Sequence, residues 1–248
     1  MTAEAEQTVD ITEMPLEGIA AYWLSLKKIM GTKVTAKAAQ EEAERTEEPY
    51  IKYLLETAFT GLTDEQFRRV CVIRAQTSLD GLRQRLGLMR EAHLSMAAGE
   101  NPRKSLVRMA ACFPCQHMPE EKITRMALEM VKKARSGNTQ DYLVTVDTRM
   151  PADQLLVKLM FYVIWARHEG TSTIEPFAES SRCVFFREGL TLVSDGFDRS
   201  FIKTCLDARY DGILHEAERK MAMAAELATA LRTRCSYEDM FAVAQAYL

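Results

Sequence analysis

Residues 199–231 read RSFIKTCLDARYDGILHEAERKMAMAAELATAL. Apolar side chains fall at Ile202, Leu206, Tyr210, Ile213, Ala217, Met221, Ala224, Ala228 and Leu231, in steps of three and four. That spacing puts them on one face of an α-helix. Glu216, Glu218, Arg219, Lys220 and Glu226 fill the rest of the circumference, so the other side is expected to meet water. A helix of about 30 residues is about 45 Å long at 1.5 Å per residue. One so long packs in a bundle or a coiled coil. The tract from Phe67 repeats the pattern with Val70, Cys71, Leu79, Leu82, Leu86, Met89 and Met96. Two long amphipathic helices predict an all-α protein built as a bundle.

Working outward, shorter helices are expected at 15–30, 36–59, 103–113, 119–135, 152–168 and 177–194. Breaks are expected near Gly31, Gly61, 99–102, Pro114, Gly137, Pro151, Gly170 and Gly196. Residues 143–146 (LVTV) are the strand-like stretch. A single strand makes no sheet, so they read as a connector. The longest apolar run, LLVKLMFYVIWA at 155–166, is interrupted by Lys158 and followed by Arg167 and Glu169. A membrane span needs roughly 20 apolar residues, so this run reads as a buried helix.

Shifting the chain by 135 residues aligns its halves. Leu55 meets Leu190, Gly61 meets Gly196, Arg74 meets Arg209 and Leu79 meets Leu214. Ile51, Ala58 and Phe67 meet Phe186, Val193 and Ile202. Upstream, after a four-residue slip, 28–32 (KIMGT) meets 167–171 (RHEGT). The repeat predicts two similar helical modules at 15–113 and 150–248, joined by 114–149 and preceded by an acidic tail at 1–14. Each copy reads helix, glycine break, polar cap, long helix. Glycine takes the left-handed geometry that ends many helices. Thr63 and Asp198 are placed to accept the first free amides of the helices that follow, and Asp64 and Glu65 suit the positive end of a helix dipole.

Composition bounds the function. The 248 residues carry a net charge of −3, which gives no strong electrostatic footprint for nucleic acid or anionic membrane. The basic clusters, Arg103 with Lys104 and Lys132, Lys133 with Arg135, are small and offset by acids. Six irregularly spaced cysteines follow a start that is acidic at Glu4, Glu6, Asp10 and Glu13, unlike a secretory leader. Reduced thiols in a cytoplasmic protein are therefore expected.

Two stretches in the second half carry a family resemblance. WARHEGTSTIE at 165–175 looks like the A-R-x-x-G-x-x-x-L-E helix–turn of the cytoplasmic domain of MotA-family flagellar stator proteins. FFREGLTLVSDGFDRSFIKTCLD at 185–207 is similar to that family's F-L-x-x-G-L-x-L-V-x-D-G-x-D run. The likeness is strong over about 155–222 and faint in the first half. In the family, membrane helices flank this domain; no such segment is found here, so ion conduction is not expected. Pro176, directly after Glu175, is expected to start a fresh helix. The resemblance implies that Arg167 and Glu175 face complementary charges on the flagellar rotor's switch protein. Rim charges of this kind steer encounter and set register, each contributing about 0–1 kcal/mol when solvated. Lys28 stands where Arg167 stands in the other copy, and Ala36 stands for Glu175, so the first copy lacks the acidic half.

Catalytic signatures are sparse. Cys112, Phe113, Pro114 and Cys115 form a C-x-x-C, with His117 after it. Cys112 falls at a helix end, where the dipole raises a thiol's pKa, and three ligands fall short of the four a structural zinc site takes. Histidines 93, 117, 168 and 215 are scattered without H-E-x-x-H spacing. Glu41/Glu42, Glu47/Glu48 and Glu120/Glu121 read as solvated helix faces, and the fourteen methionines as a soft core or an adaptable surface. The expected function is a non-enzymatic, cofactor-free, metal-free MotA-like interaction module of the flagellar motor. It would bind a rotor or stator component through Arg167, Glu175 and Lys28. A subunit of a homo-oligomeric ring or collar is the second reading, and a thiol or metal protein using Cys112 and Cys115 the third.

Overall fold

The computed structural model describes residues 10–31, 35–113, 118–136 and 144–248, and every regular element among them is helical. The helices are α1 (Leu16–Met30), α2 (Ala36–Arg45), α3 (Pro49–Ala58), α4 (Asp64–Ala97), α5 (Pro102–Ala110), α6 (Glu120–Arg135), α7 (Ala152–Glu169), α8 (Glu175–Glu179), α9 (Val184–Ser194), α10 (Arg199–Arg232) and α11 (Tyr237–Gln245). A 3-10 turn, Thr171–Ile174, joins α7 to α8. The two long amphipathic patterns become α4 and α10, each 34 residues long. The apolar run at 155–166 lies in α7, which is buried on nearly all sides. No described helix is long and apolar enough to cross a membrane.

Two expected helices are each broken in two. The 36–59 segment divides because Pro49 fixes the first turn of α3 and pushes Glu48 into extended backbone. The buried Glu48 carboxylate then accepts the Ile51 N–H at 2.6 Å, a cap that starts a new helix. The 177–194 segment divides at 180–183, where the N–H groups of Arg182 and Cys183 bond the carbonyl of Val146 at 3.1 and 3.2 Å. The strand-like connector is thus used: Val144 and Val146 are buried, and Tyr162 donates its hydroxyl proton to the Val144 carbonyl at 2.7 Å. Leu143 lies outside the described residues.

The caps fall where expected. Thr63 and Gln66 close a reciprocal capping box, with the Gln66 N–H on Thr63 Oγ1 at 3.2 Å and the Thr63 N–H on Gln66 Oε1 at 2.9 Å. Asp198 Oδ1 accepts the N–H groups of Ser200 and Phe201 at 2.9 and 3.1 Å. Residues 195–198 form the turn between α9 and α10.

The chain forms two compact units, Met1–Asp80 with Ile213–Leu248, and Gly81–Gly212. The modules read from the sequence, 15–113 and 150–248, are successive along the chain, whereas each compact unit takes part of both. Helices α4 and α10 therefore contribute one half to either unit. Elements recur at the sequence shift of 135: α3 and α9 start at 49 and 184, α4 and α10 at 64 and 199, α5 and α11 at 102 and 237.

In the first unit Trp23, Leu26, Tyr50, Leu54, Phe67, Met221, Leu227 and Leu231 are buried. Lys220, only 1% exposed, donates to the Thr12 carbonyl at 2.9 Å and tethers the N-terminal segment to α10. Arg232 ties three elements together. Its guanidinium meets Asp64 at 2.7 Å, donates to the Ala58 carbonyl at 2.6 Å and to the Leu62 carbonyl, and lies over the Phe67 ring. Truncation would orphan both carbonyls and remove packing. Arg232→Ala is therefore expected to lower stability by about 2–4 kcal/mol. Urea denaturation reads this as a fall in midpoint at constant slope; an unchanged midpoint would refute the assignment.

In the second unit an aromatic cluster surrounds α7. Phe177 packs at centroid distances of 5.8, 6.0 and 5.3 Å from Phe161, Tyr162 and Trp165, and Tyr162 meets Phe186 edge-on at 5.0 Å. Such pairs add about 0.5–1.5 kcal/mol each beyond their burial. Asp207 of α10 holds Arg90 of α4 at 2.5 Å and Lys203 at 2.6 Å. Burial pushes its carboxyl up, and these two cations more than offset that, leaving the pKa below the usual carboxylate value.

Candidate functional site

The first candidate is the helix–turn between α7 and α8. Gly170, at φ +95°, ends α7 with its N–H on the Ala166 carbonyl at 3.0 Å. The Thr173 hydroxyl donates back to the Gly170 carbonyl at 2.7 Å and accepts the Trp165 indole N–H at 3.0 Å. Ile174 is fully buried, and Pro176 sits in the first turn of α8, the fresh helix expected there. The turn is thus pinned from beneath by the aromatic cluster.

On this frame Arg167 and Glu175 are both exposed. Arg167 donates from Nη1 to the Gly99 carbonyl at 2.6 Å, a bond to a neutral acceptor. The nearby acid Glu169 is taken by Arg135, whose Nε–H reaches it at 2.8 Å. Among the described residues neither Arg167 nor Glu175 has an ion-pair partner within the chain. Both keep their charge available to an outside group.

Lys28 belongs to the first unit, in the last turn of α1, with its ammonium 5.1 Å from the centroid of the Tyr237 ring. Ala36, the position answering to Glu175, begins α2 and offers no charge.

In the second unit Phe197 and Phe201 stack at 5.0 Å on either side of the Asp198 cap while remaining 46% and 45% exposed. Sequence reading saw this turn as a cap and missed the paired rings. Burial, reinforced by Glu91 and countered by Arg90, pushes the Cys112 thiol up. Among the described residues no three His, Cys, Asp or Glu side chains gather as a metal set. Cys115 and His117 lie outside the described residues. Also missed was a group of cations around Lys28, namely Lys27 and Arg234. Its signal was the Lys-Lys pair at a helix end and an arginine at 234, 135 residues after Gly99.

Compared with family models, curated proteins and solved structures, this chain finds no match.

Proposed function

We propose that the chain is a protein-interaction module with a duplicated, MotA-like helical plan, and that the turn bearing Arg167 and Glu175 reads complementary charges on a partner. The observation that carries this reading is two exposed opposite charges, neither spent on an internal ion pair, on a turn held by a cluster of aromatic rings. A rigid turn loses little conformational freedom on binding, which favours its use as a recognition element. The partner the resemblance implies is the flagellar rotor's switch protein or a stator component. Retention of purified switch protein on the immobilised chain tests this. The Arg167→Glu, Glu175→Lys double reversal is expected to abolish most retention; equal retention by both forms would remove the charge contact.

The stacked, exposed Phe197 and Phe201 pair favours self-association as a second reading, a ring or collar subunit. Light scattering at rising concentration tests it. A mass fixed at the monomer would end that reading.

A further inference from the structure

The last turn of α1 and the first turn of α11 border an open pocket of about 440 Å³, lined by Lys27, Lys28, Gly31, Arg234, Cys235 and Tyr237 together with the Ser236 cap. This size suits a small ligand. Three of the lining residues are cationic and none is acidic.

Lys27 is the unusual member. The residue is only 8% exposed, and among the described residues its ammonium has no hydrogen-bond or ion-pair partner. The stem is buried while the ammonium keeps contact with solvent in the pocket and has no counter-charge there, so an anion in the pocket would pair with it. Arg234 adds a second oddity. It sits at φ +57°, and every other described residue with positive φ is a glycine. A side chain at such a position is strained where glycine would not be. Its N–H and that of Cys235 close the end of α10 on the carbonyls of Leu231 and Ala230, a capping turn that ordinarily takes glycine. An arginine held there at a cost supplies charge to the pocket. The N-terminus of α11 opens onto the same space and presents the positive end of its dipole. The Tyr237 ring supplies an apolar wall.

The corresponding place in the second unit lacks these features. Ala166 stands for Lys27, Glu100 for Cys235, Gly99 for Arg234 and Pro102 for Tyr237. There Arg167 donates to the Gly99 carbonyl. The cationic arrangement therefore belongs to one copy.

We propose that this pocket binds a small organic anion, a carboxylate or phosphate on an aromatic or other apolar body. The head group would lie between the Lys27 ammonium and the start of α11, and the body against Tyr237. This inference does not rest on Arg167 or Glu175.

The test is calorimetric titration of the full chain with phenyl phosphate and with benzoate. At least one is expected to bind saturably at one site per chain, with phenol at least about tenfold weaker. Lys27→Met is expected to weaken binding at least about tenfold. Should Lys27→Met fail to fold, Lys28→Met at the exposed rim is expected to weaken binding severalfold. Arg234→Gly is expected to raise the melting temperature while weakening binding, a split that a purely structural arginine would not produce. The inference is overturned if neither anion saturates by about 10 mM, or if phenol binds as well as the anions. It is equally overturned if the folded lysine variants keep full affinity, or if only an acidic peptide binds.

Discussion

Gly189→Ala is expected to cost about 3 kcal/mol or more in stability, although it adds a single methyl group. A Cβ built on Gly189 comes within 2.4 Å of His93 Cε1 and 2.6 Å of both ring nitrogens. The imidazole cannot step aside. It is fully buried, its Nε2–H donates to the Phe186 carbonyl at 3.0 Å, and its ring lies 4.8 Å from that of Phe186 and 6.4 Å from that of Phe185. Behind Phe186 stands Tyr162, anchored to Val144. Helix α9 must therefore back away from α4, opening the core along its length. With roughly 2–4 °C per kcal/mol for a chain of this size, the melting temperature should fall by about 6–12 °C. A fall under about 2 °C would show that the approach of α9 to His93 is not as close as described. Adding His93→Ala to Gly189→Ala should cost less than the two single losses combined, because the variants share one contact.

The same imidazole should make the protein acid-sensitive well above the carboxylate range. Burial drives the His93 pKa down to about 3, against 6.5 for the free side chain, and its backbone hydrogen bonds only partly oppose this. The folded state thus holds the ring neutral while the unfolded chain takes up a proton below pH 6.5. In that window the unfolded state binds more protons, so stability rises with pH. The contribution is complete above about pH 6.5 and is lost as pH falls towards 3. The expected slope is up to about 1.4 kcal/mol per pH unit, or about 2 kcal/mol lost by pH 5. Urea midpoints measured from pH 7.5 to 4.5 for the wild type and His93→Gln check this. Parallel curves would mean that another group drives the acid sensitivity.

How much of this was readable in the sequence depends on the range of the interaction that decides each feature. Helices α4 and α10 were legible because their apolar steps recur over 34 residues each, and one periodic signal that long has no competing reading. The caps at Thr63 and Asp198 were legible because they act over three residues. The break before α9 was not. Its deciding partner, the Val146 carbonyl, lies 36 and 37 residues from the N–H groups of Arg182 and Cys183. His93 looked like one of four scattered histidines, since nothing local says that it packs on Gly189. Helix periodicity also cannot tell which halves of two long helices join in one compact unit. Arg167 and Glu175 were legible only through their place in a recognisable helix–turn. The Lys27 pocket was not legible, because its cations come from opposite ends of the chain and only folding brings them together.

The central functional claim is that an exposed, pre-formed charge pair at the α7–α8 turn recognises a partner. The most direct measurement is the dissociation constant for purified rotor switch protein, by calorimetry at low and at raised salt, for the wild type and the Arg167→Glu, Glu175→Lys reversal. Saturable binding is expected that weakens at least about tenfold on reversal and also weakens as salt screens the charges. Binding that is absent, or equal for both proteins at both salt concentrations, would contradict it.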